Sequence, residues 1–305
     1  MIDNLYDKEA SARSLAAIQA AREKERPMQT QVKDLCLTEG WQNFIEVYHF
    51  SEPTAWRMTW CQDGHKREEI QYHIQGIVED KRLPPIKMPR GKKHIQHMKQ
   101  SITISGLGSK QFDEDINAII DIYAELARQV GQIEVFEIKD SEGRRMLEIG
   151  NRVFTPQWEA PNMEWIEPQR EVDPERTIES MKTQHKNVVD FGEEKTEEEG
   201  EKRTYTMSPQ KIHVGDIVDI AFSVVGIPTK QETKAMLILR AITLLDGMHT
   251  QNWIKAWVRG KPKGNEQVQL RKRSAFDDDA EGDVEEARKK LKELAVNEKA
   301  KMAED

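Results

Sequence analysis

GDIVDIAFSVVGIPTKQETKAMLILRAITLLD, running from Gly215 to Asp246, is the stretch whose reading decides the fold. Two apolar runs, 217–227 and 235–245, flank the polar connection 228–233, and Gly215-Asp216 and Asp246-Gly247 punctuate the outer ends. Runs of Ile, Val, Phe and Leu of this length, bounded by turn residues, predict two strands joined as a hairpin. In the first run Val218, Ile220, Phe222 and Val224 share one face, and Ile217, Asp219, Ala221, Ser223 and Val225 the other. In the second, Ala235, Leu237, Leu239 and Ala241 oppose Met236, Ile238, Arg240 and Ile242. Strands apolar on both faces belong inside a closed barrel or a sandwich rather than on a one-sided sheet. A buried helix over 235–245 satisfies the same short run, since periodicity alone does not separate the two.

Working outward, composition sets the bounds. The chain has 305 residues, 33% of them charged and 37% hydrophobic, with mean hydropathy −0.76. That allows one large or two modest domains, with the rest of the chain solvated. A net charge of −8 argues against a surface that is basic all over. Cys36 and Cys61 are too few for a disulfide scaffold or a cysteine-rich zinc site, and fit small buried residues in a reducing compartment. No apolar run is long enough to span a bilayer, and the acidic, polar start MIDNLYDKEAS is no secretory signal. The expectation is a soluble intracellular protein, nuclear or cytoplasmic, with no membrane partner and no cofactor.

From Asp7 to Arg26 the chain is rich in Ala, Glu, Lys and Arg, with Leu15, Ile18 and Ala21 on one helical face and Pro27 as terminator. This predicts a loosely attached N-terminal helix within 1–30. An aromatic segment follows. Phe44, Tyr48 and Phe50 lie in a strand-like run, Trp56, Met58 and Trp60 alternate with Arg57 and Thr59, and Asp63-Gly64 is a strong hairpin signal. Ile70, Tyr72 and Ile74 fit a returning strand, while Ile70, Ile74 and Ile77 fit a helix, so 66–78 stays open. Rings in this arrangement serve either as core or as a stacking platform for bases, and core is the commoner use.

Between Lys81 and Phe112 there are eight Lys and Arg side chains, among them Arg90, Lys92, Lys93 and Lys99, and no Asp or Glu, in a chain holding 54 acids. Such a cluster attracts phosphates by Coulomb interaction and counterion release, or it is a solvated basic loop. Pro84, Pro85, Pro89 and Gly91 make its first half extended. His94 and His97 have a spacing that can share a metal, but no third ligand is evident and Lys92 and Lys93 would repel the ion. Ser105-Gly106-Leu107-Gly108-Ser109-Lys110 lacks the spacing of a phosphate loop and reads as a loop into a helix. That helix, 113–130, carries Ile116, Ile119, Ile120, Tyr123, Leu126 and Val130 on one face, with Gly131 as its cap. A hairpin of 133–138 and 146–154 around Ser141-Glu142-Gly143 completes an α+β domain over 31–155.

A proline-marked connector with an acidic low-complexity run at 193–202 spans 156–203, and the run is expected to be a disordered loop. A mainly antiparallel β domain, an OB-like barrel or a sandwich, follows over 204–275, and a charged, partly helical tail over 276–305. Near the end of the β domain, strand alternation would put Trp253, Lys255, Trp257 and Arg259 on one face. Aromatics interleaved with cations suit a single-strand groove, because rings stack on bases and cations pair with phosphates. Arg271, Lys272 and Arg273 extend the charge and also fit a short nuclear import signal. If 252–259 is helical instead, Trp253 and Trp257 become a packing stripe at i, i+4. In the tail, Val284, Ala287, Leu291 and Leu294 follow a 3-4-3 seam that could dock on a protein partner.

The pattern GDIV at 215–218, Phe222, Pro228 and LRAITLLD at 239–246 resembles a family of proteins from mushroom-forming fungi. Asn187-Val188-Val189 upstream, Arg271-Lys272-Arg273, and the acidic stretch before Ala287-Arg288-Lys289-Lys290 are similar to that family as well. The resemblance covers roughly 187–291. The family has no established activity, so it implies an origin and little chemistry. The rhythm of the central stretch is also similar, at fold level only, to strands of OB-type single-strand-binding proteins.

Three functions follow from these residues. One is a non-enzymatic binding module holding single-stranded DNA or RNA through Trp253, Lys255, Trp257 and Arg259, helped by Lys92 and Lys93. Another is a scaffold whose tail recruits proteins. The third is an enzyme without a recognisable signature, since nucleophile elbow, P-loop, dinucleotide fingerprint and metal constellation are all missing from the sequence.

Overall fold

In the computed structural model the central stretch forms two long hairpin strands, Ile217–Pro228 and Thr233–Asp246, so the strand reading holds over the helical one. Val218, Ile220, Phe222 and Val224 face the main core, as do Ala235, Leu237 and Leu239. Beyond Leu239 the phase changes. Ala221 pairs with Ala241 and Phe222 with Leu239, so Arg240 is skipped and Ile242 takes the inward position expected of Ala241. A bulge of this kind is the physical reason the alternation looks imperfect in sequence.

The chain divides into two units, Met1–Gly260 and Lys261–Asp305. The structure describes residues 5–25, 31–61, 67–85, 98–141, 143–156, 184–197 and 200–260, with 159, 161, 162, 167, 170, 175, 176 and 289. The first unit opens with helices α1 (Lys8–Glu25) and α2 (Val32–Leu37) and strands β1 (Ile45–Ser51), β2 (Thr54–Trp60), β3 (Tyr72–Arg82) and β4 (Lys99–Ser105). Helix α3 (Lys110–Val130) and strands β5 (Ile133–Glu134), β6 (Ile138–Ser141), β7 (Arg144–Arg152) and β8 (Phe154–Pro156) follow. Strands β9 (Gln184–Lys186), β10 (Asp190–Thr196) and β11 (Lys202–Thr206) precede the central pair, β12 (Ile217–Pro228) and β13 (Thr233–Asp246), and α4 (Met248–Gly260) closes the unit.

Five strands close a ring in the order β3-β4-β7-β13-β12 and back to β3. Every junction is antiparallel except β7–β13, which is parallel. Numbered by their place in the chain, the barrel strands run 1-2-3-5-4-1, which makes this an OB-like barrel within an α+β fold. One barrel therefore joins the two regions expected to be separate domains: β3, β4 and β7 come from 31–155, and β12 and β13 from 204–275. Neither set could bury its inner face alone, and hydrogen bonding between them leaves no boundary there. The hairpin β1–β2 extends the sheet from β12, and β10–β11 extends it from β13.

Other expectations are corrected. Residues 72–82 are strand, which settles part of the open segment 66–78, and the Asp63-Gly64 turn lies outside the described residues. The acidic run expected to be a disordered loop instead supplies the end of β10 and the start of β11, two strands paired from Gly192↔Thr206 to Thr196↔Lys202. Helix α3 begins at Lys110, earlier than the expected 113, and Ile120 is 37% exposed while Ile122 is buried in its place. Cys61 is exposed rather than buried.

Helix α1 is not loosely attached. Its inward stripe is Ser11, Leu15, Gln19 and Arg22, all buried, and three of these are polar, which is why an apolar count misses it. Arg22 Nη2 donates to Glu194 on β10 at 2.5 Å. Tyr6 donates to the Gly215 carbonyl at 2.6 Å, and burial pushes its hydroxyl pKa up to about 12. No helix among the described residues is long and apolar enough to cross a membrane.

Candidate nucleic-acid interface

The parallel seam between β7 and β13 is the loosest junction of the barrel, carrying the single register pair Gly150↔Ile238. A side-chain bond helps to close it, Asn151 Nδ2 donating to the Leu239 carbonyl at 3.3 Å. Over this seam, on the outer face of β4 and β7, lies a groove of about 460 Å³. Lys99, Ser101, Gly150 and Arg152 form one wall, Ala235 to Leu237 and Lys234 the other, with Phe136 and Lys139 at one side.

Strand alternation explains the wall. Ile102 and Ile104 of β4 and Leu147 and Ile149 of β7 point into the core, so Lys99, Ser101, Gly150 and Arg152 must point out. Ser101 pairs with Gly150. A Cβ at residue 150 would lie 3.1 Å from Ser101 Cβ and 3.2 Å from the Gln100 carbonyl oxygen, so glycine lets the strands keep a flat floor here.

The groove is lined by Lys99, Lys139, Arg152 and Lys234 together with Glu137 and Glu148, and three of the cations are paired. Lys139 meets Glu148 at 2.5 Å, Lys234 meets Glu134 at 3.1 Å, and Arg152 meets Glu159 at 3.0 Å. The hydrogen bond to Glu148 raises the Lys139 pKa, so that lysine stays charged throughout the neutral range. Lys99 has no ion pair among the described residues and is exposed. Two connections lead into the strands that wall the groove. Arg82 ends β3 and Lys99 begins β4, so the acid-free basic segment spans the loop between the first two barrel strands. Thr229, in the turn between β12 and β13, lines the groove.

A second hollow of about 90 Å³ adjoins the groove and shares Asn151, Arg152, Ile227 and Met236 with it. It continues over β12 and β2 to Arg57 and Arg240. Both arginines hold Glu69, Arg57 at 2.5 Å and Arg240 at 2.6 Å, leaving an excess positive charge.

The expected site residues fare differently. Met248–Gly260 is a helix, so Trp253, Lys255, Trp257 and Arg259 do not share a strand face. At 3.6 residues per turn Lys255 lies roughly 160° around from Trp253. Trp253 packs edge-on against Tyr6, with ring centroids 6.4 Å apart, and joins a cluster with Leu15 and Ile217. Lys255, Trp257 and Arg259 are exposed, and none of the four lines the groove. Arg90, Lys92, Lys93, Arg271, Lys272 and Arg273 lie outside the described residues, as do His94 and His97. Among the described residues no cluster of three metal-ligating side chains occurs. Sequence reasoning missed Arg152, Lys139 and Lys234, which come together only through the barrel. It placed Lys99 in the basic segment without seeing that it opens onto a groove.

No protein-family model matches the chain, and no curated protein matches it. Among solved structures, it is similar to the single-stranded DNA-binding protein of bacteriophage Enc34 (15% identity, TM-score 0.32, covering 66% of this chain and 88% of that one). The same protein in complex with single-stranded DNA is similar at 14% identity and TM-score 0.33, with 68% and 96% covered. The single-stranded DNA-binding protein gp2.5 of bacteriophage T7 is similar at 12% identity and TM-score 0.32, with 65% and 97% covered. Likeness at that level carries no argument, and the OB-like architecture rests on the strand order.

Proposed function

We propose that this chain is a non-enzymatic protein that binds single-stranded nucleic acid, DNA or RNA, across the outer face of β4 and β7. The observation that carries the reading is the groove itself. It is open, floored by Ser101 and Gly150, and lined by Lys99, Lys139, Arg152 and Lys234 beside Glu137 and Glu148, with the β12–β13 turn at Thr229 and the β3–β4 connection, basic in sequence, leading into Lys99. In OB barrels this face and these two loops are where oligonucleotides lie, because the outward side chains of the second and third strands meet the backbone of an extended strand. Arg90, Lys92 and Lys93 belong to that loop in sequence and would add phosphate contacts.

The test is fluorescence anisotropy of labelled oligo-dT and oligo-U at several salt concentrations, with wild type and Lys99→Glu/Lys234→Glu. Wild-type affinity is expected to fall with salt, and the double variant to bind more weakly with a shallower slope, by about 0.7 for each phosphate it no longer neutralises. A folded double variant with wild-type affinity and slope sinks the reading. Comparing the two oligomers separates DNA from RNA preference.

A further inference from the structure

The groove ends at the barrel, but the sheet does not. Cross-strand partners face the same side of a sheet, and the register can be followed outward from the groove. Gly150 pairs with Ile238, Ile238 with Ser223, and Val225 on the same side of β12 pairs with Arg57 of β2, which pairs with Tyr48 of β1. The outer face of the barrel therefore continues without a step onto the hairpin β1–β2.

That hairpin divides its aromatics by face. Trp56 and Trp60 pack against the main core beside the buried Met58, whereas Tyr48 and Phe50 take the outer side. Their rings meet edge-on with centroids 5.2 Å apart. Arg67 lies 4.2 Å over the Tyr48 ring and Arg57 5.6 Å over that of Phe50. Tyr48 is 38% exposed, a large share for a ring the core does not need. Beside the pair, Arg67 holds Glu46, and Arg57 and Arg240 share Glu69. Rings and guanidinium planes exposed together are what unpaired bases stack on.

Resting on the groove reading, we propose that Tyr48 and Phe50, with Arg57 and Arg67, form a distal subsite that stacks bases of the same single strand after it leaves the groove. The occupant is the strand itself, because the two hollows share four residues and lead directly to Arg57. From β4 to β1 the path crosses five inter-strand spacings, about 24 Å at 4.8 Å each, so a short oligomer fills the groove and only a longer one reaches the hairpin.

The experiment compares oligomers of about 3 and about 16 nucleotides, the first too short to span that path even when extended and the second the longest a barrel of this type covers. They are titrated against wild type, Tyr48→Leu/Phe50→Leu, Arg67→Gln and Lys99→Glu/Lys234→Glu. Leucine keeps apolar contact within the hairpin while removing the ring faces, and Arg67→Gln touches no core residue. Both hairpin variants are expected to bind the short oligomer as wild type does. On the long one the leucine variant should be weaker by about tenfold or more, and Arg67→Gln weaker in the same direction. If the hairpin variants match wild type on both lengths while the lysine variant loses both, the distal subsite falls and the groove stands. Equal weakening on both lengths also overturns the subsite, because a distal contact cannot act on a strand too short to reach it. If wild type binds neither oligomer, the groove reading fails and takes the subsite with it.

Discussion

Arg22 of α1 holds Nη1 4.0 Å from Asp219 Oδ2 on β12, with both side chains almost wholly buried. Through Nη2 the same guanidinium reaches Glu194 on β10, so one side chain ties the N-terminal helix to a barrel strand and to the flanking hairpin. Asp219 also accepts hydrogen bonds from Gln75 at 2.5 Å and His73 at 2.8 Å. Removing one member of a buried ionic cluster leaves its partner charges desolvated and poorly compensated.

Arg22→Ala is therefore expected to destabilise the first unit by about 3 kcal/mol or more. Urea unfolding at neutral pH measures it. A midpoint unchanged from wild type would show that α1 is not held by this cluster.

Acid should weaken the same cluster. Burial alone would raise the Asp219 pKa, but the His73 hydrogen bond and charge, the Arg22 charge and the Gln75 hydrogen bond outweigh it and hold the carboxyl below its ordinary range. A folded pKa below the unfolded one means that the stabilisation is fully present above the unfolded value of about 3.9 and is lost as pH falls through the folded one. Asp219→Asn should thus be less stable than wild type at pH 7, with the gap closing below about pH 4. Unfolding measured at neutral and acid pH checks this, and a gap independent of pH contradicts it.

Gly215 opens the decisive stretch at φ +95°, a conformation that side chains disfavour. A Cβ there would lie 2.7 Å from Tyr6 Cε2 and 2.9 Å from Thr250 Oγ1. Gly215→Ala is expected to cost about 2–3 kcal/mol, combining backbone strain with displacement of Tyr6. Thermal melting reads the loss, and adding Tyr6→Ala to Gly215→Ala should cost less than the sum of the two single changes, because both act at one contact.

Glu148 and Glu159 hold two of the groove's cations, Lys139 and Arg152. Neutralising them as Glu148→Gln/Glu159→Gln should release both for phosphate, giving a few-fold tighter binding of single-stranded oligonucleotide at low salt and a steeper salt dependence. Anisotropy titration decides; weaker binding would mean that the carboxylates position the cations rather than compete for them.

Local pattern determined much of this protein. Apolar runs bounded by turn residues specify β12 and β13, the 3.6-residue spacing from Ile116 to Leu126 specifies α3, and a gap in acidic residues marks the β3–β4 loop. These signals survive because each depends on neighbours within one element. Tertiary structure alone decided that β3, β4 and β7 close a barrel with strands far downstream in the chain, because hydrogen-bond partners across a sheet leave no trace in local spacing. It also decided that Trp253 packs on Tyr6 in a helix, since a short aromatic-cationic run fits either period. The groove belongs to the same class: Lys99, Arg152 and Lys234 are far apart in the chain, and only the register of β4, β7 and β13 brings them to one face. Sequence determines what each segment can be, and the shared burial of several segments decides where their outward side chains meet.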